Sequence, residues 1–265
     1  MTANGEPMNA SPQKARVAIV VPCFNEGAAL LHLSQKLGNA LRLLEQNHDV
    51  DLIFVDDGST DDTWADLRDL FARDPRCTLL RHPKNMGLAA AILTGIRAAQ
   101  TEMVCSIDCD CTYDPLQLAL LIPMLTPGVD LVTGSPYHPS GRALHVPGWR
   151  LFLSKTASAL YRTVLTQKLY TYTSCFRVYR RSTVLKLSLR NSGFLGVAEL
   201  IGMMDLLSCV IVECPAVLTA RAQGQSKMKI VPILAGHLFL LGQLLTLRVR
   251  QAFFPRRLTK LAPLS

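Results

Sequence analysis

Acidic side chains nearly vanish from the second half of the chain. From Arg142 onward only Glu199, Asp205 and Glu213 remain beside 18 lysines and arginines, whereas the first 141 residues hold 17 acids and 10 bases. The halves carry formal net charges of −7 and +15, which give the +8 of the whole. So few carboxylates offer little as general bases, and the surplus of cations suits an anionic ligand or an anionic membrane surface. Nucleic acid is not among the expected partners, because these cations are interleaved with Leu, Phe and Val and match no nucleic-acid module. Also missing are internal repeats, low-complexity tracts and any CxxC pair. Cys105, Cys109 and Cys111 cluster in sequence, but no nearby His completes a tetrahedral zinc set. Residues 1–15 are polar and lack the apolar core of a signal peptide, so they are expected as a disordered tail before a cytosolic body whose eight cysteines stay thiols.

What the first half does have is a series of short apolar runs, each followed by an acid-bearing or glycine-bearing loop. VAIVV at 17–21 leads into Pro22, Cys23, Phe24, Asn25 and Glu26, and LIFV at 52–55 leads into DDGSTDDT at 56–63. TLL at 78–80 precedes HPKNMG at 82–87, and MVCSI at 103–107 runs into Asp108, Cys109 and Asp110. Continuous apolar runs of this length read as strands buried on both faces, and the intervening stretches at 28–44 and 87–99 read as helices. Strands alternating with helices predict a mostly parallel sheet with ligands beyond the carboxyl ends of the strands. Side chains alternate on an extended segment, so Asp108 and Asp110 are expected to converge on one side and grip a hard cation. Mg²⁺ and Mn²⁺ take oxygen ligands and commonly sit between carboxylates and the phosphates of a substrate.

With VPCFNE, VDDGSTDDT, HPKNMGLAAAILTGI and SIDCDCTYDP in this order, the chain resembles the family-two inverting glycosyltransferases of GT-A fold. The likeness runs from residue 16 to about 230. GSPY at 134–137, GWRLFLSK at 148–155, TYTSCFRVYR at 171–180 and RAQGQSKMK at 221–229 are similar to the dolichyl- or polyprenyl-phosphate mannosyltransferase branch. The resemblance implies an α/β, Rossmann-like GT-A domain over 16–229 and a hydrophobic, basic membrane-associating segment over 230–265. It implies that Pro22, Phe24, Glu26, Val55 and Asp57 hold the nucleoside of a GDP- or UDP-hexose. Asp108, Cys109 and Asp110 would hold its diphosphate with Mg²⁺ or Mn²⁺, and Arg221 and Lys227 would close over the phosphates. Arg150 and Ser154 fall where the branch binds the phosphate of a polyprenyl acceptor, so Asp108, Asp110, Arg150 and Ser154 are the candidate catalytic residues. Two departures stand out: Pro136 replaces an arginine of that pattern, and Thr112 stands where the branch often has a metal-binding glutamine.

The chemistry of the residues agrees with this resemblance. Cations around a departing diphosphate stabilise the charge that develops on it. A lipid monophosphate is already anionic and needs positioning, whereas a sugar hydroxyl needs a base. No QxxRW segment of the polysaccharide-synthase kind is present. Transfer to a hydroxyl of a lipid, glycan or protein, with Asp114 or Glu199 as base, stays open, as does a degenerate nucleotide-sugar-binding regulatory subunit. Glu199 can equally serve a structural salt bridge, and His237 is expected in the core. The 18 uncharged residues at 230–247 barely reach spanning length and include Pro, His, Gln and two Gly. With the basic, aromatic stretch that follows, they predict an interfacial or re-entrant helix, with a single span and a core helix as alternatives. Either membrane arrangement puts the enzyme at the cytoplasmic face, with room for a membrane-protein partner subunit.

Overall fold

A computed structural model describes residues 14–220 and 230–253. Its frame is a seven-stranded sheet of β1 (Ala15–Cys23), β2 (His48–Asp56), β3 (Cys77–Arg81), β4 (Met103–Ser106), β5 (Leu131–Ser135), β7 (Arg177–Arg180) and β8 (Ile211–Pro215), in the order β3-β2-β1-β4-β7-β5-β8. β1 pairs in parallel with β2 and β4, β2 with β3, and β5 with β8; β7 alone runs against its neighbours β4 and β5. The four apolar runs of the first half thus form the parallel strands expected of them. β6 (Arg142–Leu144) and β9 (Val217–Thr219) make a separate two-stranded parallel sheet.

Alternation along β1 divides the core. Val17, Ile19 and Val21 join a cluster with Leu30, Leu33, Leu37 and Leu41 of helix α1 (Gly27–Leu44), Leu67 of α2 (Thr63–Phe71) and Leu118 of the short α4 (Leu118–Leu121). Ala18 and Val20 face a second cluster. It draws on α3 (Leu88–Ala98), α5 (Gly148–Val164), the single-turn α6 (Arg181–Val184), α7 (Phe194–Leu206) and α8 (Ile230–Phe253). Burial on both faces explains why β1, β2 and β4 read as unbroken apolar runs, whereas β3 at the sheet edge is part-exposed.

The C-terminal helix docks on this body. Leu240, Leu241 and Leu244 are buried in the second cluster, and Gly202 of α7 leaves the space that Leu244 fills: a Cβ there would lie 2.6 Å from Leu244 Cδ1. Arg248 pairs with buried Asp205 of α7, and buried His237 accepts or donates a 2.8 Å bond with Tyr161 of α5. The opposite stripe, Leu234, Leu238, Phe239, Leu245, Val249 and Phe253, is exposed, Phe239 by 69% and Phe253 by 75%. Among the described residues no helix is long and apolar enough to cross a membrane. The single-span alternative therefore has no helix to carry it there, while the core alternative fits one face of α8 only.

Candidate active site

Four loops meet at the carboxyl edge of the parallel strands, where the strand order reverses between β1 and β4. They are stitched together by side chains. Asn25, held at φ +52°, donates its backbone N–H to Ser59 Oγ at 2.9 Å and accepts Thr60 N–H on Oδ1 at 2.8 Å. Glu26 N–H donates to Thr63 Oγ1 at 2.8 Å, and the Glu26 side chain makes no capping bond to α1. Gly58, at φ +71°, lies against the 84–85 turn so closely that a Cβ would stand 2.3 Å from Lys84 C, so only glycine fits both the backbone angle and the space.

Asp57 is buried and its carboxylate is heavily bonded. Oδ1 accepts from Met86 N at 2.8 Å and lies 2.7 Å from His82 Nδ1, while Oδ2 accepts from Gly87 N at 2.7 Å. His82 in turn reaches Thr94 Oγ1 at 3.0 Å. Asp57 therefore locks the loops after β2 and β3 to each other. His82 opens the HPKNMG loop directly after β3, and its bond to Asp57 gives it a role that depends on the fold. Val55 and Cys109 are also buried and Pro22 pairs in register with Val55, so these residues form the floor of the edge. Phe24, Glu26, Asp108 and Asp110 are partly exposed above it.

The carboxylate pair sits on a turn rather than an extended segment. β4 ends at Ser106, Cys111 takes φ +54°, and Cys111 N–H donates to Asp108 O at 3.2 Å. Strand alternation is therefore not what brings the two acids together. They meet at Thr112, whose amide donates to Asp110 Oδ1 at 3.1 Å and whose hydroxyl lies 3.4 Å from Asp108 Oδ2. Cys175 Sγ stands 2.6 Å from Asp108 Oδ1. Burial, and then the charge of Asp108, push this thiol well above its ordinary range, so it stays protonated. Behind the turn the thiols of Cys23 and Cys109 are 3.4 Å apart, and all eight cysteines are free.

The start of β7 arrives at this same edge because β7 runs in the opposite direction. Its approach carries Thr173, whose hydroxyl lies 3.2 Å from Ser154 Oγ on α5. Ser154 is thus linked to the Asp108 turn through the few residues from 173 to 175. Arg150, one turn earlier on α5, is part-buried with its guanidinium over Trp149, and Lys155 stands 5.5 Å from the ring of Tyr137. On the other side, Thr219 N–H donates to Thr112 O at 2.8 Å, so β9 ends against the carboxylate turn. Arg221 and Lys227 lie outside the described residues. Arg177, two residues past Cys175, is fully buried and donates to the backbone oxygens of Val197 and Tyr172 at 2.9 and 3.0 Å.

All three acids of the second half hold backbone. Glu199 accepts from Arg190 N, Asn191 N and Asn191 Nδ2 at 2.8–2.9 Å. Asp205 accepts from the amides of Thr166 and Gln167, and Glu213 from those of Tyr170 and Thr171. Asp114 caps the turn at Leu116 and pairs with Lys36 at 2.6 Å. Neither Asp114 nor Glu199 is thus placed as a loose base.

A mostly parallel sheet with a paired-carboxylate turn at its switch point is the arrangement of the GT-A class of glycosyltransferases. The family model for glycosyl transferase family 2 matches residues 18–187, and the chain belongs to that family. It is 31% identical over 234 residues to the polyprenol monophosphomannose synthase of Mycolicibacterium smegmatis, with 85% of each protein covered. It is 28% identical over 216 residues to the dolichol-phosphate mannosyltransferase of Pyrococcus furiosus, with 81% of this chain and 59% of that longer protein covered. Among solved structures, the glucosyl-3-phosphoglycerate synthase of Mycobacterium tuberculosis, crystallised with Mn²⁺, UDP and glucosyl-3-phosphoglycerate, shares the fold. Its TM-score is 0.64 at 21% identity, over 89% of this chain and 80% of that one.

Proposed function

We propose that this glycosyltransferase moves a hexose, with inversion, from a GDP- or UDP-sugar to a polyprenyl phosphate at the cytoplasmic surface of a membrane. The observation that carries this reading is the engagement of every acid of the second half, and of Asp114, in backbone bonds or ion pairs. The two bases considered for a hydroxyl acceptor, Asp114 and Glu199, are among them, and a phosphate acceptor needs no base. The polyprenyl-phosphate mannosyltransferases among the relatives support the same acceptor class.

Each residue has a definite task in this scheme. Phe24, Glu26 and the bonded Asp57 frame the nucleoside, with Pro22, Val55 and Cys109 as the floor. Asp108 and Asp110 offer hard oxygen donors on one turn, and among the described residues no set of three or more His, Cys, Asp or Glu side chains forms a closed metal cage. That donor set fits Mg²⁺ or Mn²⁺ shared with phosphate oxygens. When bound, the cation would offset charge on the departing diphosphate. Arg221 and Lys227 are assigned to the far side of the diphosphate. Arg150 and Ser154 orient the acceptor phosphate, whose oxygen attacks the sugar carbon opposite the leaving group. The exposed stripe of α8, with Trp149 and Phe152 of α5, rests on the lipid surface.

The test is incubation of the purified protein with Mn²⁺, GDP- and UDP-hexoses and a short polyprenyl phosphate, with products followed by mass spectrometry. A sugar-phosphate-lipid appearing with free nucleoside diphosphate is expected. Product formed on a hydroxyl acceptor but not on the lipid phosphate would overturn the reading.

A further inference from the structure

We infer that Cys175 is a positioning residue for the cation site, holding the Asp108 carboxylate in the orientation that a divalent cation requires. The inference rests on the proposal that Asp108 and Asp110 are the cation's ligands. Sheet register supplies the first argument. β4 and β7 pair antiparallel with Ser106 opposite Arg177, so two further residues along each chain place Cys175 opposite Asp108. The register of β4 and β7 thus brings Cys175 alongside the start of the turn just past the end of β4.

The backbone of Cys175 is itself fixed. Its carbonyl accepts the hydroxyl of Ser106, which also lies 3.0 Å from Tyr179 Oη, and the next amide, that of Phe176, bonds Ser174 Oγ at 3.2 Å. Cys175 is buried, so its thiol has a defined direction. The 2.6 Å contact to Oδ1 faces the 3.4 Å approach of Thr112 to Oδ2, so the carboxylate is braced from both ends. An acid that ligates a metal is commonly oriented by a hydrogen-bond partner of this kind, and loss of such a partner typically lowers metal affinity about 10- to 100-fold. The residue does not touch substrate in this scheme and acts through Asp108 alone.

The experiment titrates Mn²⁺ into the purified full chain with GDP or UDP present and reads free Mn²⁺ by electron paramagnetic resonance. Cys175→Ala and the bulk-preserving Cys175→Val are expected to weaken Mn²⁺ binding about tenfold, and Cys175→Ser, which keeps a donor, to restore most of it. Melting temperature and metal-free nucleotide binding, measured on the same samples, should shift far less than Mn²⁺ affinity. Wild-type-like Mn²⁺ binding by the Ala and Val variants, alongside loss in Asp110→Ala, would overturn the role of Cys175 and leave the carboxylate pair intact. Loss of Mn²⁺ binding in Cys175→Ser equal to that in Cys175→Ala would overturn it as well. No Mn²⁺ binding by the wild-type protein would instead defeat the carboxylate reading, and this inference with it.

Discussion

Single carboxylates in this protein divide into those that hold the fold and those to which the proposed function gives a ligand. Glu199 belongs to the first group: it is buried and takes three N–H donors. Glu199→Gln turns one acceptor oxygen into a donor that faces other donors, at an expected cost of about 1–3 kcal/mol in urea unfolding. Asp110 belongs to the second. Asp110→Ala should abolish Mn²⁺-dependent binding of nucleoside diphosphate in calorimetry while leaving unfolding nearly unchanged, and retained binding would reject its role. The acidic pair was legible because two carboxylates directly after an apolar run are a local pattern. The bracing of Asp57 by His82, and of Asp108 by Cys175, was not, since each partner comes from a distant part of the chain and only the sheet register aligns them. The sequence also suggested extended geometry at 108–110, where the left-handed Cys111 in fact closes a turn.

At the level of elements, the first four strands and the helices expected at 28–44 and 87–99 lie within a few residues of where hydrophobic runs placed them. β7 was harder to see, because VYR is short and nothing local announces that it enters the sheet backwards. α8 shows a different limit of sequence: eighteen uncharged residues do not reveal which stripe faces protein. His237 marks the inward stripe. Burial holds its pKa below the ordinary 6.5, so the unfolded chain binds a proton that the folded chain resists. Its contribution is complete above pH 6.5 and is lost as pH falls below that value, by up to about 1.4 kcal/mol per pH unit. Melting curves between pH 7.5 and 5.5 should therefore fall less steeply for His237→Gln than for the parent; equal slopes would refute the assignment.

Across the whole molecule, an acidic half that forms the carboxyl edge of β1 to β4 is followed by a basic half that carries α5 and α8. If the outer stripe of α8 meets lipid, Phe239→Glu should reduce cosedimentation with anionic vesicles several-fold without lowering the melting temperature, since this side chain is 69% exposed. Binding by the parent should also weaken as salt rises, through screening of its cations. Persistence of vesicle binding in the variant would remove α8 from the interface. The charge asymmetry was plain in the sequence, but the packing of α8 along α7 and α5 depends on Gly202, Asp205 and Tyr161, which lie far from it in the chain.

The lone backward strand has one more result. Because β7 and the stretch before it are threaded in from the far half of the chain, the wall assigned by the proposed function to the acceptor is encoded separately from the wall assigned to the nucleotide sugar. On the proposed function, substitutions along α5 should retune what gets glycosylated while the donor side, built from residues 22–27, 56–87 and 108–112, keeps its shape; Cys175, in contact with Asp108, is where the two walls meet.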